Sequence, residues 1–305
     1  MRVTVLITNY NYAQFLGHAI DSVLAQRYPG VQVLVVDDGS TDRSRDVIAG
    51  YGDRITSIMQ TNAGQGAAIN RGIDASAGEV VCFLDADDAF LPGKVERVVA
   101  EFSDPAVQLV YHQLQPVEAD GIGPIGKPIP RAVWRGNIRT KVERSGGWWP
   151  RPTTSGLAFR RSFLDRVSPV PTDIRVSWTD TYLAGLAPFA GKVAGIREPL
   201  GILRLHGANA WSRGAISHRS DASRLSETRR DQYEAEFHAL ETSLREKLGI
   251  EPALSLADHL RFQQYRFASG EPVARWEVVA AALRCRSLPP PMRWREAARI
   301  ALGRW

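Results

Sequence analysis

The chain has 305 residues, 44% of them hydrophobic and 23% charged. These proportions fit a globular protein of one or two domains and exclude a disordered, collagenous or low-complexity chain. Thirty-eight Lys and Arg against 33 Asp and Glu leave a net charge of +5; that suits an anionic ligand or surface but does not mark a nucleic-acid binder, and no nucleic-acid partner is expected.

The opening run at 3–8, VTVLIT, is too short for a signal-peptide core, and no stretch reaches the roughly 18 apolar residues of a spanning helix. Two distant cysteines, Cys82 and Cys285, offer neither a disulfide framework nor a zinc cluster. A reducing, cytoplasmic setting is expected, with at most peripheral contact at the cytoplasmic membrane face. Short β-branched runs at 3–8, 31–36, 55–60 and 80–84 read as buried strands. Helical patterns at 13–26, 40–51 and 66–76 separate them; Phe15, Leu16, Ile20, Val23 and Leu24 form the apolar stripe of the first. This alternation predicts an α/β fold, a Rossmann-like, doubly wound and mostly parallel sheet with ligands outside the carboxyl ends of its strands.

Farther on, 107–114 and 156–160 read as strands and 179–189 as a helix, while 118–152, dense in Gly, Pro, Arg and Trp, reads as an irregular segment over a binding face. Two short strands turned at Glu198-Pro199 are expected within 192–205. Beyond about residue 210 the composition becomes charged and helix-forming, which predicts a helical C-terminal appendage. The expected division is 1–103, 104–212 and 213–305.

Four polar segments follow the first four strands: Thr8-Asn9-Tyr10-Asn11, Asp37 to Asp42, Asn62 to Gly66, and Asp85-Ala86-Asp87-Asp88. All should therefore lie on one rim of the sheet. In extended backbone, residues two apart point the same way, so Asp85 and Asp87 can converge on one hard cation, Mg²⁺ or Mn²⁺. The plainer reading is an acidic turn with Asp88 capping a helix. Asp38 could accept from a ribose or base edge and Tyr10 could stack on a base, whereas Ser40 and Asp42 read as turn and cap residues. The glycines of the third segment miss the G-x-G-x-x-G spacing at Ile69, and no G-x-x-x-x-G-K-[ST] loop occurs, which disfavours NAD binding and P-loop chemistry.

VLITNYN, SVLAQRYP, VLVVDDGSTD and NAGQGAAINRGIDASAGEVVCFLDADD, in that order, resemble the family 2 glycosyltransferases, inverting enzymes of the GT-A fold that use nucleotide sugars. The resemblance is close through about residue 100 and patchier to about 212. It implies that Thr8, Tyr10, Asp38 and Gln65 line the nucleoside pocket with Asn9 on the same rim. It further implies that Asp85 lies near ribose and diphosphate and that Asp87 ligates the metal. An inverting transfer also needs a general base on the acceptor side; Asp180, before the later helix, fits the family position, with Asp173 as competitor and an N-cap as the plainer role. Arg204-Leu205-His206-Gly207-Ala208-Asn209 resembles a late family motif, in which His206 completes the metal site or touches the diphosphate.

Trp148 and Trp149 are candidate platforms for an acceptor sugar, or else core. Pro290 stands where the processive relatives' Gln-x-x-Arg-Trp has Gln, so one sugar per encounter is expected. The donor is expected to be a UDP-sugar and the acceptor a saccharide or lipid-linked saccharide, in polysaccharide assembly. The rivals are a catalytically inactive sugar-nucleotide or glycan-binding module on the same fold, and a nucleotidyltransferase, disfavoured because 8–12 has neither Gly nor a basic residue. Finally, 292–305 reads as a helix with Trp294, Ala298, Ala301 and Trp305 on one stripe and Arg293, Arg295, Arg299 and Arg304 around it. That stripe either lies in an anionic membrane interface or packs on the protein's own body, the second being favoured.

Overall fold

The first strand, β1 (Val3–Asn9), is buried along its whole length, because strands lie on both sides of it and helices on both faces. The computed structural model describes residues 1–172, 179–207, 222–268, 272–285 and 290–302. After β1 come α1 (Ala13–Leu24), β2 (Val31–Asp37), α2 (Ser44–Ala49), β3 (Thr56–Met59), α3 (Gln65–Ala75), β4 (Val80–Asp85), β5 (Ala89–Phe90) and α4 (Lys94–Glu101). The second half holds β6 (Val107–Val117), β7 (Arg135–Gly136), α5 (Arg139–Glu143), β8 (Leu157–Arg160), α6 (Arg161–Val167), α7 (Thr179–Ala190) and β9 (Lys192–Arg204).

These strands form one curled sheet in the order β3-β2-β1-β4-β8-β6-β9-β5, with β7 on β9. The first four pair in parallel and so do β6 and β9, whereas β8, β5 and β7 run antiparallel to their neighbours. This is the expected GT-A architecture, with the parallel strands concentrated in the N-terminal half. Register levels the strand ends: Thr8 lies opposite Val36 and Asp85, and Asn9 opposite Asp37. The polar segments that follow are therefore held to a common rim.

One face buries Leu16, Ile20, Val95 and Val98; the other buries Ile69, Ile73, Phe163, Leu183 and Leu186. Three expectations change. Strand β3 is the sheet edge and mostly exposed, so its apolar run marks pairing on one side only. Residues 192–204 form a single strand: a register irregularity in the β6–β9 pairing between His112 and Leu114 absorbs Glu198-Pro199, where Pro cannot donate to a ladder. In α1, Leu24 is exposed, and Phe15 lies against His206 and Arg204 rather than in the core.

The C-terminal helices are α8 (Ala222–Leu248), α9 (Leu260–Ala268), α10 (Arg275–Arg284) and α11 (Pro290–Ala301). Helix α8 sets Leu240 and Leu244 into the main core. Its Ser243 Oγ meets the Tyr182 hydroxyl at 2.7 Å, and Lys247 Nζ donates to the carbonyls of Val167 and Pro169. Helices α10 and α11 share a small core of Val278, Ala281, Ala282, Ala297 and Ile300. Packing through Ala297 and Ile300 turns the anticipated stripe outward: Trp294, Ala298 and Ala301 are exposed, and Trp305 lies outside the described residues. Among the described residues, no helix is long and apolar enough to cross a membrane.

Candidate active site

The rim starts from the turn after β2. Asp37 is buried and accepts from Asn9 Nδ2 at 2.7 Å and from Ser40 Oγ at 2.5 Å, so the amide nitrogen of Asn9 is engaged within the turn. Gly39 has φ +76°, and a Cβ there would meet the backbone nitrogen of Asn62 at 2.6 Å; only glycine lets the two loops touch. Asp38 uses that contact. Its carboxylate accepts from Gln60 Nε2 at 2.7 Å and from the N–H groups of Ala63 and Gly64 at 2.9 and 2.8 Å. A carboxylate has about four lone-pair sites, so Asp38 chiefly holds the 60–64 loop and keeps one site for a ligand. That loop delivers Gln65 to the head of α3, where Nε2 donates to Asp85 Oδ1 at 2.9 Å. Tyr10 stands 46% exposed beside them.

Strand β4 ends in Asp85, and Asp85, Asp87 and Asp88 can bring one carboxylate oxygen each to within 4.8 Å of one another. Asp88 caps no helix, contrary to the plainer reading: it accepts from Ser155 Oγ at 2.5 Å and from the Arg204 backbone N–H at 2.9 Å. Asp87 Oδ2 lies 3.0 Å from His206 Nε2. The His206 ring is set edge-on to Tyr12 and close to Phe15. Burial pushes the Asp85 carboxyl up to about 8, with the charges of Asp87 and Asp180 adding and hydrogen bonds from Thr154 and Gln65 opposing. Burial, followed by the charges of Asp87 and Asp85, holds Asp88 well above the ordinary carboxylate range. Crowded acids at a strand end are a hard oxygen donor set short of positive charge. With Asp88 engaged on both oxygens, Asp85 and Asp87 are the pair that could hold a divalent cation.

One cavity of about 450 Å³ joins Thr8, Tyr10, Asp38, Gln65, Asp85 and Asp87 to Asp180, in the first turn of α7. Burial raises the Asp180 carboxyl, while the Arg151 guanidinium and the Thr181 N–H, 2.7 Å from Oδ1, hold it down. Asp173 and Asn209 lie outside the described residues. The tryptophans are elsewhere. Trp149 is 1% exposed and edge-on to Tyr111 at 5.3 Å, which makes it core and removes it as a sugar platform. Trp148 packs on the C-terminal core and lines a separate cavity of about 300 Å³ with Leu260 and Met292; among the described residues it does not line the cavity of Asp85.

Across residues 4–167 the chain matches the family described as Glycosyl transferase family 2. The chain belongs to this glycosyltransferase family. It is 40% identical over 237 residues to an uncharacterized glycosyltransferase of Nostoc sp., a match covering 74% of this chain and 70% of that one. Among solved structures, residues 1–349 of S. aureus TarS in complex with UDP-GlcNAc superpose with a TM-score of 0.59 at 14% identity, over 100% of this chain and 93% of that one. The mannosyltransferase PcManGT of Pyrobaculum calidifontis, in complex with GDP-Man and Mn²⁺, gives 0.57 at 18% identity, over 100% and 81%. At such identities the structures testify to the fold.

The glycosyltransferase site also draws on residues the sequence left unremarked. Ser155 ties the Asp85 N–H to Asp88, Thr154 lines the cavity, and Arg151 faces Asp180. They fall in R-P-T-T-S-G, which has no period and no motif. The signal at Arg204 was within the late motif. Its guanidinium donates to the carbonyls of Asp87 and Ala119 at 2.8 and 2.9 Å, lies 2.9 Å from His18 Nδ1 and covers Phe15, so it fixes the loop that carries the acids.

Proposed function

We propose that this glycosyltransferase moves one sugar at a time, with inversion, from a UDP-sugar to a saccharide or lipid-linked saccharide acceptor, in polysaccharide assembly. What supports the reading is the single cavity in which Asp180 shares space with Tyr10, Asp38, Asp85 and Asp87. The family and the nucleotide sugars bound by TarS and PcManGT point the same way. Residues 1–103 serve the donor, 104–212 the acceptor, and 213–305 form the appendage.

In this reading Tyr10 stacks on the base, while Asp38 and Gln65 orient the nucleoside. Asp85 and Asp87, the latter steadied by His206, would hold Mg²⁺ or Mn²⁺, which when bound offsets the charge of the diphosphate. Asp180 does the proton chemistry. Its carboxylate takes the proton of the acceptor hydroxyl as that oxygen bonds to the anomeric carbon, and the diphosphate leaves from the opposite face with the bonding pair. A carboxyl raised by burial is a better base than a solvated one. Incubating the chain with UDP-, GDP- and dTDP-sugars, with Mn²⁺ or with a chelator, tests this by release of free nucleotide. Metal-dependent release from a UDP-sugar is expected; binding of a nucleotide sugar with no release would leave the inactive sugar-nucleotide module, and neither release nor binding would leave only the glycan-binding module.

A further inference from the structure

The charge of the chain is unevenly placed. Residues 272–305 carry seven arginines, Arg275, Arg284, Arg286, Arg293, Arg295, Arg299 and Arg304, against two acids, Glu277 and Glu296. Their net charge of +5 equals that of the entire chain, so the preceding 271 residues are neutral in sum. The same stretch holds three of the eight tryptophans. For the described residues the structure adds the direction they face. Among the described residues nine large hydrophobic side chains are exposed, and four of them, Trp276, Met292, Trp294 and Leu302, lie on or beside α10 and α11, at 69%, 52%, 69% and 69%. The two helices meet through Val278, Ala281, Ala282, Ala297 and Ile300, which leaves these larger side chains outside the seam. Arg275, Arg284 and Arg295 are exposed alongside them.

We propose that the α10–α11 pair docks the protein on an anionic lipid bilayer, with Trp276, Trp294 and Leu302 entering the headgroup boundary and the arginines meeting lipid phosphates. Charge complementarity selects this occupant. A cationic surface bearing solvent-facing indoles matches an interface that is negative outside and apolar beneath, and Trp sits well at such a boundary because its ring is amphipathic. An acidic protein partner would satisfy the arginines but gives less reason for the scattered indoles. The consequence concerns access: Trp148, from the segment leading to Arg151, packs on these same helices, so a bilayer held there lies beside that segment. The inference does not depend on the proposed reaction.

The test is flotation of the full chain with vesicles of phosphatidylcholine alone, or of equal parts phosphatidylcholine and phosphatidylglycerol, at low and high salt. Binding to the anionic vesicles alone, weakened by salt, is expected. Each arginine near the surface is worth about fivefold in partitioning, so Arg275→Gln/Arg295→Gln should bind about 25-fold more weakly. Trp276→Ala/Trp294→Ala should lose at least about tenfold. Trp276 and Trp294 are each 69% exposed, and melting temperatures of both variants, read alongside, separate lost docking from lost fold. Failure of the parent chain to float, equal flotation on both vesicles, or undiminished binding by both variants overturns the proposal. A dimer that dissociates in the tryptophan variant without any vesicle binding overturns it too, by giving the face to a second copy of the chain.

Discussion

Residues 1–88 and residues 150–206 wall the same cavity, yet they are constructed differently. In the first region the site residues lie at or just beyond the ends of parallel strands, so ladder register sets their level: Thr8 is level with Asp85, and Asn9 with Asp37. In the second region the groups arrive from a loop (Arg151), a helix start (Asp180) and a strand end (His206). Their positions depend on contacts made far along the chain, such as Ser155 on Asp88 and the Arg204 guanidinium on the Asp87 carbonyl. Ligand positioning by a sheet edge is insensitive to single side chains. Positioning by tertiary contacts is not, and the two regions should answer mutation differently.

The largest effects should separate donor from acceptor chemistry. Asp87→Ala in the first region removes a charge facing the donor, and turnover should fall by at least about a thousandfold. The UDP-plus-Mn²⁺ stabilisation should vanish with it, about 2.7 kcal/mol in the parent at a hundred times the dissociation constant. An unaltered thermal shift in the variant would remove Asp87 from the site. Asp180→Asn in the second region should cost about 10²–10⁴-fold in turnover while UDP affinity stays near that of the parent. If nucleotide affinity collapses as well, the two regions do not divide the labour as argued.

Just ahead of the second region, Trp149→Ala should lower stability by about 3–5 kcal/mol, the usual cost of emptying a buried aromatic site. Denaturant melts would show it. The acceptor KM of the folded fraction should not move, whereas a KM effect at full stability would restore Trp149 as a sugar platform.

How legible each region was follows from the same difference. Strand alternation and the four rim segments were readable because parallel strands with short links leave little choice of topology. Residues 118–152 were not, since short elements such as α5 and β7 rest on burial against distant partners. Asp180 was singled out only through the family resemblance. Its neighbour Arg151 carried no local signal, and Trp149 stayed open between sugar platform and core because nothing in G-G-W-W-P tells a platform from a plug. The carboxylates of Asp38 and Asp88 were visible, but their internal partners were not: Ala63, Gly64, Ser155 and Arg204 meet them only in the folded chain.

Strand β6, between β8 and β9, gives a pH signature. His112 on β6 is buried, and burial pushes its imidazole down to about 3, with the Lys94 charge adding. The unfolded chain takes up that proton near pH 6.5 and the folded chain does not, so this contribution is complete above about 6.5 and is lost as pH falls toward 3. Urea midpoints of the parent minus those of His112→Gln should therefore decline over that window, by at most about 1.4 kcal/mol per pH unit. A flat difference would mean that His112 is protonated in the fold.

The smallest effect tests whether the sheet-borne region is as preset as its register implies. Tyr10 follows β1 directly, is 46% exposed, and among the described residues its side chain makes no hydrogen bond; what fixes it is the backbone between Asn9 and Asn11. Stacking of a base on an aromatic ring is worth about 1–3 kcal/mol, so Tyr10→Ala should raise the donor KM by roughly tenfold. Stability should stay within about 0.5 kcal/mol, as for surface positions generally, and Tyr10→Phe should behave as the parent because the ring carries the interaction. Turnover at saturating donor should change little, since Asp180 and the acceptor are untouched. A fall in kcat without a change in KM would instead place Tyr10 against the reacting groups, and the separation of donor rim from acceptor wall would have to be redrawn around it.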